Sequence, residues 1–464
     1  MADLREIWQN AYKIVPAQLE RTREIERVVT AFNTNIDAVV KISGKKLAEL
    51  AKIVDLQPED LMRTEAFLYE PKDVVRGIVR CFINGIAEEW LCEDRRVYTW
   101  MSDYLGYDRL QMGGQAGIVA NVLAVLGVKE VCAHTSSLPK LQALQFLDLP
   151  NLAAVNQDGI IGKAHDMDCA EDVPLVHQII EFDRDDVFKF GTQKYVCPKA
   201  NRFIATYDTA NVELKINRGF IKYIDNVGFD YMILSGFHNL TQARSGLKKI
   251  ENAIPLVQKW KQNNPYGIIH LELASTQDKI VRKAILQNLA PIADSVGLNE
   301  REALDALEVV APDMYEKVQK SELTAPILLD VAQKLKEKLQ TPRIQLHFYG
   351  MYLTLQNKGF VVSPEANKRG MMTASTIAAS KAALGNIEHQ ENLLWANGQK
   401  IGDISAQNIQ SIAKVLNNSE FALNGIAEYC NADLIAVPTI IVKKPKTLVG
   451  MGDTISSVSL IAAR

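Results

Sequence analysis

The feature that most constrains the fold is a regular alternation of short apolar strands with amphipathic helices in residues 231–349. Strands are predicted at 231–234, 267–273, 295–298 and 343–349, and helices at about 242–263, 278–288 and 300–308. Strands that alternate with helices predict a parallel sheet with helices on both faces, which places the chain in the α/β class. With 464 residues, the chain is long enough for two or more domains.

Two segments interrupt this α/β pattern. Residues from about 38 to 110 contain charged helical pieces, followed by the short segments 88–92 and 96–100, which alternate like strand edges. Residues 165–215 are again rich in charged and aromatic side chains. We expect the two segments to form one inserted subdomain, through which the chain passes twice.

The composition argues against several classes of protein. A net charge of -3 and a pI near 6.2 offer no basic surface, so we expect no nucleic-acid partner. The six cysteines lack Cys-x-x-Cys spacing, which favours reduced thiols over disulfides or a zinc site. The N-terminus is predicted to be a charged amphipathic helix, and no apolar stretch reaches the roughly 18 residues of a membrane span. We therefore expect a soluble, cytoplasmic protein without a membrane partner.

The C-terminal stretch 448–457 combines an apolar strand, a glycine-rich turn and the start of a helix. A β-branched run at 434–442 precedes it and is typical of a buried strand, in which Pro438 indicates an edge or a bulge. Gly450 and Gly452 can adopt backbone angles closed to other residues, so successive N–H groups can point into one concavity. The helix adds its positive N-terminal end, and the turn is therefore predicted to bind an oxyanion.

Asp453 stands at the mouth of this predicted anion site. A carboxylate there could accept the proton of a hydroxyl group that attacks a bound phosphate. Asp453 before Thr454 also suits a plain helix N-cap, and the motif alone does not separate the two interpretations. No Gly-x-x-x-x-Gly-Lys-Ser/Thr loop occurs in the sequence, which excludes a P-loop as the phosphate cradle.

Two polar turns occur in the first third of the chain. A predicted strand at 27–32 runs into the polar segment 33–37, and side chains at the carboxyl end of such a strand project into the ligand crevice of an open α/β sheet. An Asx-turn that closes the strand is the alternative. Residues 113–117, Gly-Gly-Gln-Ala-Gly, form another glycine turn at a helix start, for which close packing of the helix on a strand is the alternative.

Acidic residues follow two successive strands of the alternating region. His270 and Glu272 face the same side of one strand, where a buried carboxylate needs a partner such as metal-bound water or, alternatively, a basic side chain. Asn299 and Glu302 follow the next strand, where a capping box alone would explain them. Because the carboxyl ends of parallel strands meet at one edge, the acidic groups, the glycine turn and the Asn-x-Asp motif together predict phosphoryl transfer.

These motifs, in this order, resemble those of the archaeal ADP-dependent sugar kinases, the glucokinases and phosphofructokinases of the ribokinase superfamily. The matching segments are Asn-x-Asp at 35–37, Gly-Gly-Gln-Ala-Gly at 113–117, His-Leu-Glu at 270–272, Asn-Glu-Arg-Glu at 299–302 and Gly-Met-Gly-Asp at 450–453. The resemblance covers nearly the whole chain. It implies a ribokinase-like large domain, with a central, mostly parallel sheet flanked by helices, and a smaller, mainly β lid domain. The large domain is expected at 1–37, 111–164 and 216–464, and the lid at 38–110 and 165–215.

The resemblance also implies roles for residues around ADP, the expected phosphoryl donor, and Mg²⁺ or another divalent cation. Asp453 is expected to be the catalytic base and Arg202 to contact the transferred phosphate, while the anion hole would consist of backbone N–H groups of Gly450, Met451, Gly452 and Asp453. The metal residues would be Glu272, Glu302 and Asp453, with His270 and Asn299 in support. The adenine would lie near His347, Gly350, Tyr352 and Val442.

The resemblance leaves the sugar open between fructose 6-phosphate and glucose. Residues that suit sugar hydroxyls are Asn35, Asp37, Gly114 and Gln115. Fructose 6-phosphate also needs a cationic pocket, for which the candidates are Lys163, Lys199 and Arg244, each with solvated surface charge as the alternative. Asn201, next to Lys199 and Arg202 in the sequence, is a further candidate for binding the substrate. Glu89 and His165 instead resemble glucose-contacting residues of the glucokinases, although the adjacent Glu88 leaves the register open by one residue.

The expected function is that of an ADP-dependent 6-phosphofructokinase of glycolysis, with glucose as a second acceptor. It would transfer the β-phosphate of ADP to the 1-hydroxyl of fructose 6-phosphate and release AMP. The alternatives are an ADP-dependent glucokinase, an ATP-dependent ribokinase-like kinase and a catalytically silent sugar or nucleotide sensor. The use of ADP rather than ATP rests on the resemblance alone.

Overall fold

The computed structural model describes residues 3–63, 65–276 and 278–464. The strands in these ranges are β1 (Arg27–Ala31), β2 (Asn35–Lys41), β3 (Phe67–Leu68), β4 (Glu88–Cys92), β5 (Arg109–Gly113), β6 (Glu130–Ala133), β7 (Leu152–Val155), β8 (Ile161–Lys163), β9 (Val176–Phe182), β10 (Val187–Phe190), β11 (Gln193–Val196), β12 (Asn201–Tyr207), β13 (Tyr231–Leu234), β14 (Ile268–Glu272), β15 (Ser295–Asn299), β16 (Arg343–Phe348), β17 (Met351–Asn357), β18 (Ile426–Tyr429) and β19 (Ala432–Pro438).

The α-helices in the same ranges are α1 (Leu4–Ala11), α2 (Val15–Thr22), α3 (Gly44–Ile53), α4 (Pro71–Asn84), α5 (Arg95–Tyr104), α6 (Gln115–Val125), α7 (Lys140–Ala143), α8 (Arg218–Val227), α9 (Gly246–Asn263), α10 (Lys279–Ala284), α11 (Glu300–Val310), α12 (Pro312–Val318), α13 (Ala325–Leu339), α14 (Pro364–Leu384), α15 (Gln390–Leu393), α16 (Asp403–Val415), α17 (Ser419–Asn424) and α18 (Met451–Ile461). None of these helices combines the length and the apolar composition needed to cross a membrane.

The larger sheet has the strand order β18-β19-β17-β16-β15-β14-β13-β1-β6-β7-β8. Its centre, from β7 to β16, is parallel throughout, and antiparallel strands extend both edges. Strand β19 is antiparallel to β17, which is antiparallel to β16, so β19 runs in the same direction as the parallel centre. The predicted mostly parallel sheet is therefore confirmed. The carboxyl ends of β14, β15, β16 and β19 all lie on the same side of the sheet.

Helices α14 and α18 pack against each other, and α18 also contacts α6 and strands β14 to β16. Both helices are buried over most of their length, because small residues such as Gly370 and Ala463 allow their backbones to approach closely. A Cβ atom at Gly370 would lie 2.2 Å from the carbonyl oxygen of Ser459 on α18. This packing fixes the N-terminal end of α18 at the edge where the parallel strands end.

The smaller sheet has the order β3-β4-β12-β9-β2-β5, and a separate hairpin pairs β10 with β11. Helices α3 and α4 cover it and share a second apolar core with its strands. Strands β2 and β5 run across the predicted domain limits at residues 37 and 111. The division into a large domain and a lid stays a prediction, and the smaller sheet is the part of the chain that such a lid would contain.

The segment 96–100, which alternates like a strand, is helical, so the strand prediction was wrong. It lies in α5, where the side chain of Asp94 accepts a hydrogen bond from the Arg96 N–H as the N-cap. Val97 and Met101, four residues apart, are the buried side chains of this helix. A cap together with burial at helical spacing outweighed the local alternation.

Strand β1 ends at Ala31, before the polar segment as expected, but Asn35 and Asp37 then belong to a new strand, β2, in the smaller sheet. The glycine turn at 450–452 does not follow a strand directly. Strand β19 ends at Pro438, beyond the point where β18 stops pairing with it, so the missing N–H of Pro438 needs no partner on that side. Residues 439–449 then run along α14, because Ile440 and Lys446 donate their N–H groups to Ser375 Oγ and the Ala382 carbonyl.

Candidate active site

The turn before α18 is shaped by two glycines. Gly450 has φ +61°, a left-handed conformation, and a Cβ atom there would lie 2.7 Å from a methyl carbon of Ile118. A Cβ atom at Gly452 would lie 2.8 Å from Nε2 of His347. The N–H groups at the start of a helix have no partner within it, so this turn leaves donors at the strand ends. The geometry is that of an anion site at a helix N-terminus.

Asp453 lies in the first turn of α18, where its Oδ1 accepts a hydrogen bond of 2.6 Å from Nε2 of Gln115. Gln115 is held in turn because its Oε1 accepts the Gly236 N–H at 3.2 Å. Burial raises the pKa of Asp453, while the Gln115 hydrogen bond and the Lys381 charge oppose that shift. Gly450, rather than Asp453, occupies the N-cap position, so the capping interpretation does not explain the carboxylate.

A cavity of about 160 Å³ opens in front of Asp453, between the edge of the larger sheet and the smaller sheet. Eight residues predicted from the sequence line it, namely Asn35, Asp37, Glu89, Gly114, Gln115, Arg202, Gly450 and Asp453. The side-chain oxygens of Asn33 and Asn35 are buried there and lack hydrogen-bond partners among the described residues. Buried acceptors are normally satisfied, so the cavity is suited to a ligand rich in donors.

Asp37 and Asn35 lie on one face of β2, and Nδ2 of Asn35 donates to Oδ1 of Asp37 at 2.9 Å. A Cβ atom at Gly113 would lie 2.1 Å from Oδ1 of Asp37, which explains the glycine at that position of the neighbouring strand. Burial raises the pKa of Asp37 to about 6, against the opposing effect of His177. Gly114 has φ +72° and carries the chain from β5 into α6.

His177, which belongs to none of the sequence motifs, lies in the same cavity on β9. Its Nε2 donates to Oδ2 of Asp208 at 3.1 Å, and Glu89 lies 3.8 Å from its Nδ1. Burial disfavours its charge, but the Asp208 hydrogen bond and the nearby carboxylates of Glu89 and Asp37 outweigh it and raise the pKa to about 9. The sequence around it, Val-His-Gln-Ile-Ile, is ordinary for a strand and carries no signal of a binding residue.

The register between Glu88 and Glu89 is resolved by alternation along β4. Glu89 faces the cavity, where it accepts a hydrogen bond of 2.6 Å from the hydroxyl of Thr206. Glu88 faces the other side and contacts Arg80 and the indole N–H of Trp90. Asn33, from the polar segment 33–37, also lines the cavity, as does His238, which was missed because it belongs to no recognisable motif.

Five other predicted sugar-binding residues do not line this cavity. Lys163 pairs with Asp148 and Asp166, at 2.6 and 2.7 Å. His165 contacts the Phe146 carbonyl, and Asn201 donates to the Gly85 carbonyl. Lys199 is exposed in the turn between β11 and β12, and Arg244 contacts Glu93 and Glu213. Their roles in binding stay predictions; the side chains of Lys163, His165, Asn201 and Arg244 have other partners, and Lys199 is exposed.

The predicted metal residues converge at the ends of β14 and β15. Glu272 is 5% exposed, and Nε2 of His270 lies 3.0 Å from its Oε2. Burial raises the pKa of Glu272 well above its usual range, and the charges of Asp453 and Glu302 add to the effect. Burial also raises the pKa of Glu302 to about 8. Within the described ranges, these carboxylates are held close to one another without a lysine or arginine in contact.

One alternative for these residues, the capping box, is present in the structure, whereas Glu272 contacts His270, whose pKa burial lowers well below its usual range, so this contact is not an ion pair. Asn299 and Glu302 form a capping box, in which Oε2 of Glu302 accepts the Asn299 N–H at 2.8 Å. His270 uses both ring nitrogens, because its Nδ1 contacts Ser295 Oγ at 2.9 Å and its Nε2 contacts Glu272. In the described residues, no three His, Cys, Asp or Glu side chains form a ready metal cluster. The second carboxylate oxygen of Glu302 stays available for another partner.

The predicted adenine residues lie beyond the metal residues, along β16 and β17. His347 and Tyr352 are paired across the two strands, and both are buried. Nδ1 of His347 lies 3.3 Å from the Ser456 hydroxyl, while its Nε2 has no partner among the described residues and faces Gly452. Gly350, with φ +88°, forms the turn between the strands, and Val442 is half-buried in the loop after β19.

Comparison with known proteins agrees with this arrangement over almost the whole chain. A family model described as the ADP-specific phosphofructokinase/glucokinase conserved region matches residues 26–462. The ADP-specific phosphofructokinase of Thermococcus zilligii is 30% identical, with 95% of each chain covered. The ADP-dependent glucose/glucosamine kinase of Pyrococcus abyssi (strain GE5 / Orsay) is also 30% identical, with 98% of each covered. A solved ADP-dependent kinase in complex with fructose-6-phosphate and ADPbetaS has a TM-score of 0.82 at 28% identity, covering 100% of this chain and 98% of that one.

Proposed function

We propose that this chain, which belongs to the ADP-specific phosphofructokinase and glucokinase family, is an ADP-dependent 6-phosphofructokinase. It transfers the β-phosphate of ADP to the 1-hydroxyl of fructose 6-phosphate, giving fructose 1,6-bisphosphate and AMP in glycolysis. The observation that carries the proposal is the position of Asp453, which lies between a glycine-built anion site and a cavity with unsatisfied polar acceptors. A base, a phosphate site and a polyol site therefore adjoin one another.

Asp453 acts as the base in this proposal. The proton of the sugar hydroxyl passes to its carboxylate, and the hydroxyl oxygen forms a bond to the β-phosphorus. The bond from that phosphorus to the oxygen bridging to the α-phosphate breaks, and AMP leaves. The N–H groups of Met451, Gly452 and Asp453 face the negative charge on the transferred group, and the Gln115 hydrogen bond keeps the carboxylate oriented.

The acidic residues at the ends of β14 and β15 fit a hard divalent cation such as Mg²⁺. Glu272 and Glu302 offer only oxygen atoms as ligands, in a buried region where the Ser456 hydroxyl, the Arg343 charge and the Asn299 N–H offset only part of the effect of burial and of neighbouring carboxylates on their pKa values. Mg²⁺ commonly binds through one or two carboxylates, waters and substrate phosphates, so two carboxylates are a sufficient protein contribution. When bound, the ion would offset the negative charge of the ADP phosphates, while His270 and Asn299 hold the two glutamates in place.

Arg202 and the protonated His177 supply positive charge to the sugar cavity, which favours a phosphorylated sugar. Glu89 is the observation that favours glucose as a second acceptor, because its carboxylate faces the same cavity and could bind a sugar hydroxyl. A glucokinase is therefore the second candidate function. The smaller sheet, which carries Glu89, His177 and Arg202, is proposed as the lid that covers the sugar.

The remaining expectations are small-molecule partners only and a cytoplasmic setting. All six cysteines are free, and Cys81, Cys92, Cys132 and Cys197 are buried, which supports a reducing compartment. The net charge of -3 supports the absence of a nucleic-acid partner.

The test is AMP release from ADP and Mg²⁺ with fructose 6-phosphate or glucose as the acceptor, in the parent protein and in Asp453→Ala. We expect release to be faster with fructose 6-phosphate and to be lost in the variant. A preference for glucose would move the function to a glucokinase, and turnover with ATP but not ADP would move it to an ATP-dependent kinase. Binding of sugar without any turnover would support a silent sensor.

A further inference from the structure

Lys381 is a buried cation behind the anion-binding turn. It lies in the last turn of α14 and is 5% exposed. Its Nζ donates to the Gly450 carbonyl at 3.3 Å and to the Thr454 hydroxyl at 3.1 Å. Among the residues that the structure describes, no carboxylate oxygen lies within the 4.0 Å of a salt bridge to this ammonium. A buried lysine without a carboxylate in contact is costly, so its retention calls for a reason.

The contacts of Lys381 restrain one peptide group, the one that joins Gly450 to Met451. The Gly450 carbonyl accepts hydrogen bonds from the Thr454 hydroxyl at 2.7 Å and from the Thr454 N–H at 3.1 Å, in addition to the lysine. In a trans peptide, the C=O of Gly450 and the N–H of Met451 belong to the same plane and point in opposite directions. Holding the carbonyl on the side of α14 therefore holds the Met451 N–H on the side of the phosphate.

This restraint matters because Gly450 precedes that peptide. Glycine reaches both positive and negative φ at little cost, so nothing in its own covalent structure prevents the peptide from rotating. In Gly450 the left-handed φ of +61° is required for the turn. Burial lowers the pKa of Lys381 to about 8, although the Asp453 and Asp37 carboxylates oppose the shift, so the ammonium is mostly charged at pH 7.

We propose that Lys381 is a positioning residue for phosphoryl transfer, whose ammonium fixes the Gly450 carbonyl so that the Met451 N–H faces the transferred phosphate. The inference rests on the proposed function for the reaction itself. The orientation of the turn, in contrast, is a property of the ligand-free protein. The two parts can therefore be tested separately.

A second cavity makes a rescue experiment feasible. Lys381 also lines a cavity of about 170 Å³ on the other side of Ile118 and Val449 from the sugar cavity. In Lys381→Ala, the lost atoms correspond to propylammonium, which could enter through this cavity and contact the same two oxygen atoms. Propanol has a similar shape without the charge and serves as the matched additive.

Lys368 provides the matched control variant, because it is on the same helix and also donates to a backbone carbonyl. Its Nζ lies 3.0 Å from the Asn424 oxygen and 5.8 Å from the centre of the Trp8 ring, away from the anion site. We expect Lys381→Met to lower kcat for AMP release by roughly 10- to 100-fold, at or below the effect of removing an oxyanion donor outright because the Met451 N–H is displaced and not lost, with KM values nearly unchanged. Lys368→Met should leave kcat unchanged.

The orientation is measured without turnover by hydrogen–deuterium exchange of the amides in residues 450–455. Exchange should rise in Lys381→Met and stay at the parental rate in Lys368→Met. Propylammonium, but not propanol, should restore both slow exchange and kcat in Lys381→Ala. Unchanged exchange in a folded Lys381→Met, or equal rescue by propanol, would overturn the inference. If the parent protein formed no AMP, the proposed function would fail, while the exchange experiment would still decide the role of Lys381.

Discussion

The two sides of the candidate active site treat buried charge in opposite ways. The larger-sheet wall comprises Asp453, which lines the sugar cavity, and Glu272 and Glu302, which lie outside that cavity at the ends of β14 and β15. The pKa values of all three carboxylates are raised, and no lysine or arginine contacts them directly among the described residues. On the wall formed by the smaller sheet, His177 is paired with Asp208, and burial is outweighed by this hydrogen bond together with nearby carboxylates. The first wall repels its own charges, while the second compensates them internally.

This difference indicates what each wall is built to receive. Like charges held together without a partner favour a divalent cation and a proton, which are the two species that a phosphoryl-transfer site must bind or accept. A wall that compensates its own charges and leaves polar groups over favours a polyol, and Arg202 on the same wall can contact a phosphate group on it. The following predictions test whether the two walls are specialised in this way.

The largest effect is expected for Asp453→Asn. An amide has nearly the same shape but cannot take the hydroxyl proton, so kcat for AMP release should fall by roughly 10² to 10⁴ while sugar binding persists. Turnover assays and calorimetry of sugar binding measure the two properties. Asp403→Asn is the control, because Asp403 also lies in the first turn of a helix but is exposed. A loss below about tenfold would show that another group is the base.

The next effect concerns the metal requirement. Glu272→Gln and Glu302→Gln should each raise the Mg²⁺ concentration for half-maximal rate by roughly 10- to 100-fold, since each removes a negative charge from the wall of uncompensated carboxylates. Glutamine at 302 can still accept the Asn299 N–H, so the helix cap is kept. Glu308→Gln, on the same helix and paired with Lys279 and Arg282, is the control. An unchanged Mg²⁺ requirement in both variants would remove the metal from this wall.

The compensated wall should show its own pH dependence through the pair of His177 and Asp208. The folded pKa of His177, about 9, is above the ordinary 6.5, so its stabilisation is complete below pH 6.5 and is lost as the pH rises through 9. The contribution to the free energy of unfolding is on the order of 3 kcal/mol. Urea unfolding of the parent should therefore show stability that declines between pH 6.5 and 9.5 by this mechanism.

Asp208→Asn removes the main partner of His177 but leaves Glu89 and Asp37, so this part of the pH dependence should be weaker in the variant. The difference in unfolding free energy between parent and variant should be largest at pH 6.5 and smaller at pH 9.5. The substitution also alters the hydrogen bond that Nδ2 of Asn211 donates to the Asp208 carboxylate. This change lowers the unfolding free energy of the variant whether His177 is charged or neutral. Parallel stability profiles for the two proteins would rule out a charged His177 in the folded state.

The smallest expected effect distinguishes Arg202, which lines the sugar cavity, from Lys199, which lies outside it. Arg202→Met should raise KM for fructose 6-phosphate about tenfold, as expected for a lost charge-assisted hydrogen bond, with less effect on glucose. Lys199→Met should change this KM by less than about threefold, because Lys199 lies outside the cavity and exposed lysines contribute little. A larger effect for Lys199 than for Arg202 would indicate that the β11–β12 turn moves onto the sugar phosphate.

Much of the fold could be predicted from the sequence because its cause is local. The strands at 231–234 and 295–298 are short, mostly apolar runs between amphipathic helices, and they are found within a residue of the predicted bounds. The strand prediction for 96–100 failed because the segment alternates like a strand, whereas Asp94 caps a helix that begins there. Counting the periodicity of apolar residues does not take such a cap into account. Asn35 and Asp37 were recognised as candidate ligand-binding residues, but the start of a new strand at residue 35 was not visible in the sequence.

The sequence by itself determined the α/β class, the glycine turn before Asp453 and the acidic residues at the strand ends, since each depends on residues adjacent in the chain. Only the tertiary structure decided that His177 and Glu89 face the sugar cavity, that Lys163 and Arg244 have other partners, and that Lys381 lies behind Gly450. Those contacts join segments far apart in the chain. Their energies depend on burial and on charges that converge only when the two sheets and helix α14 are packed together.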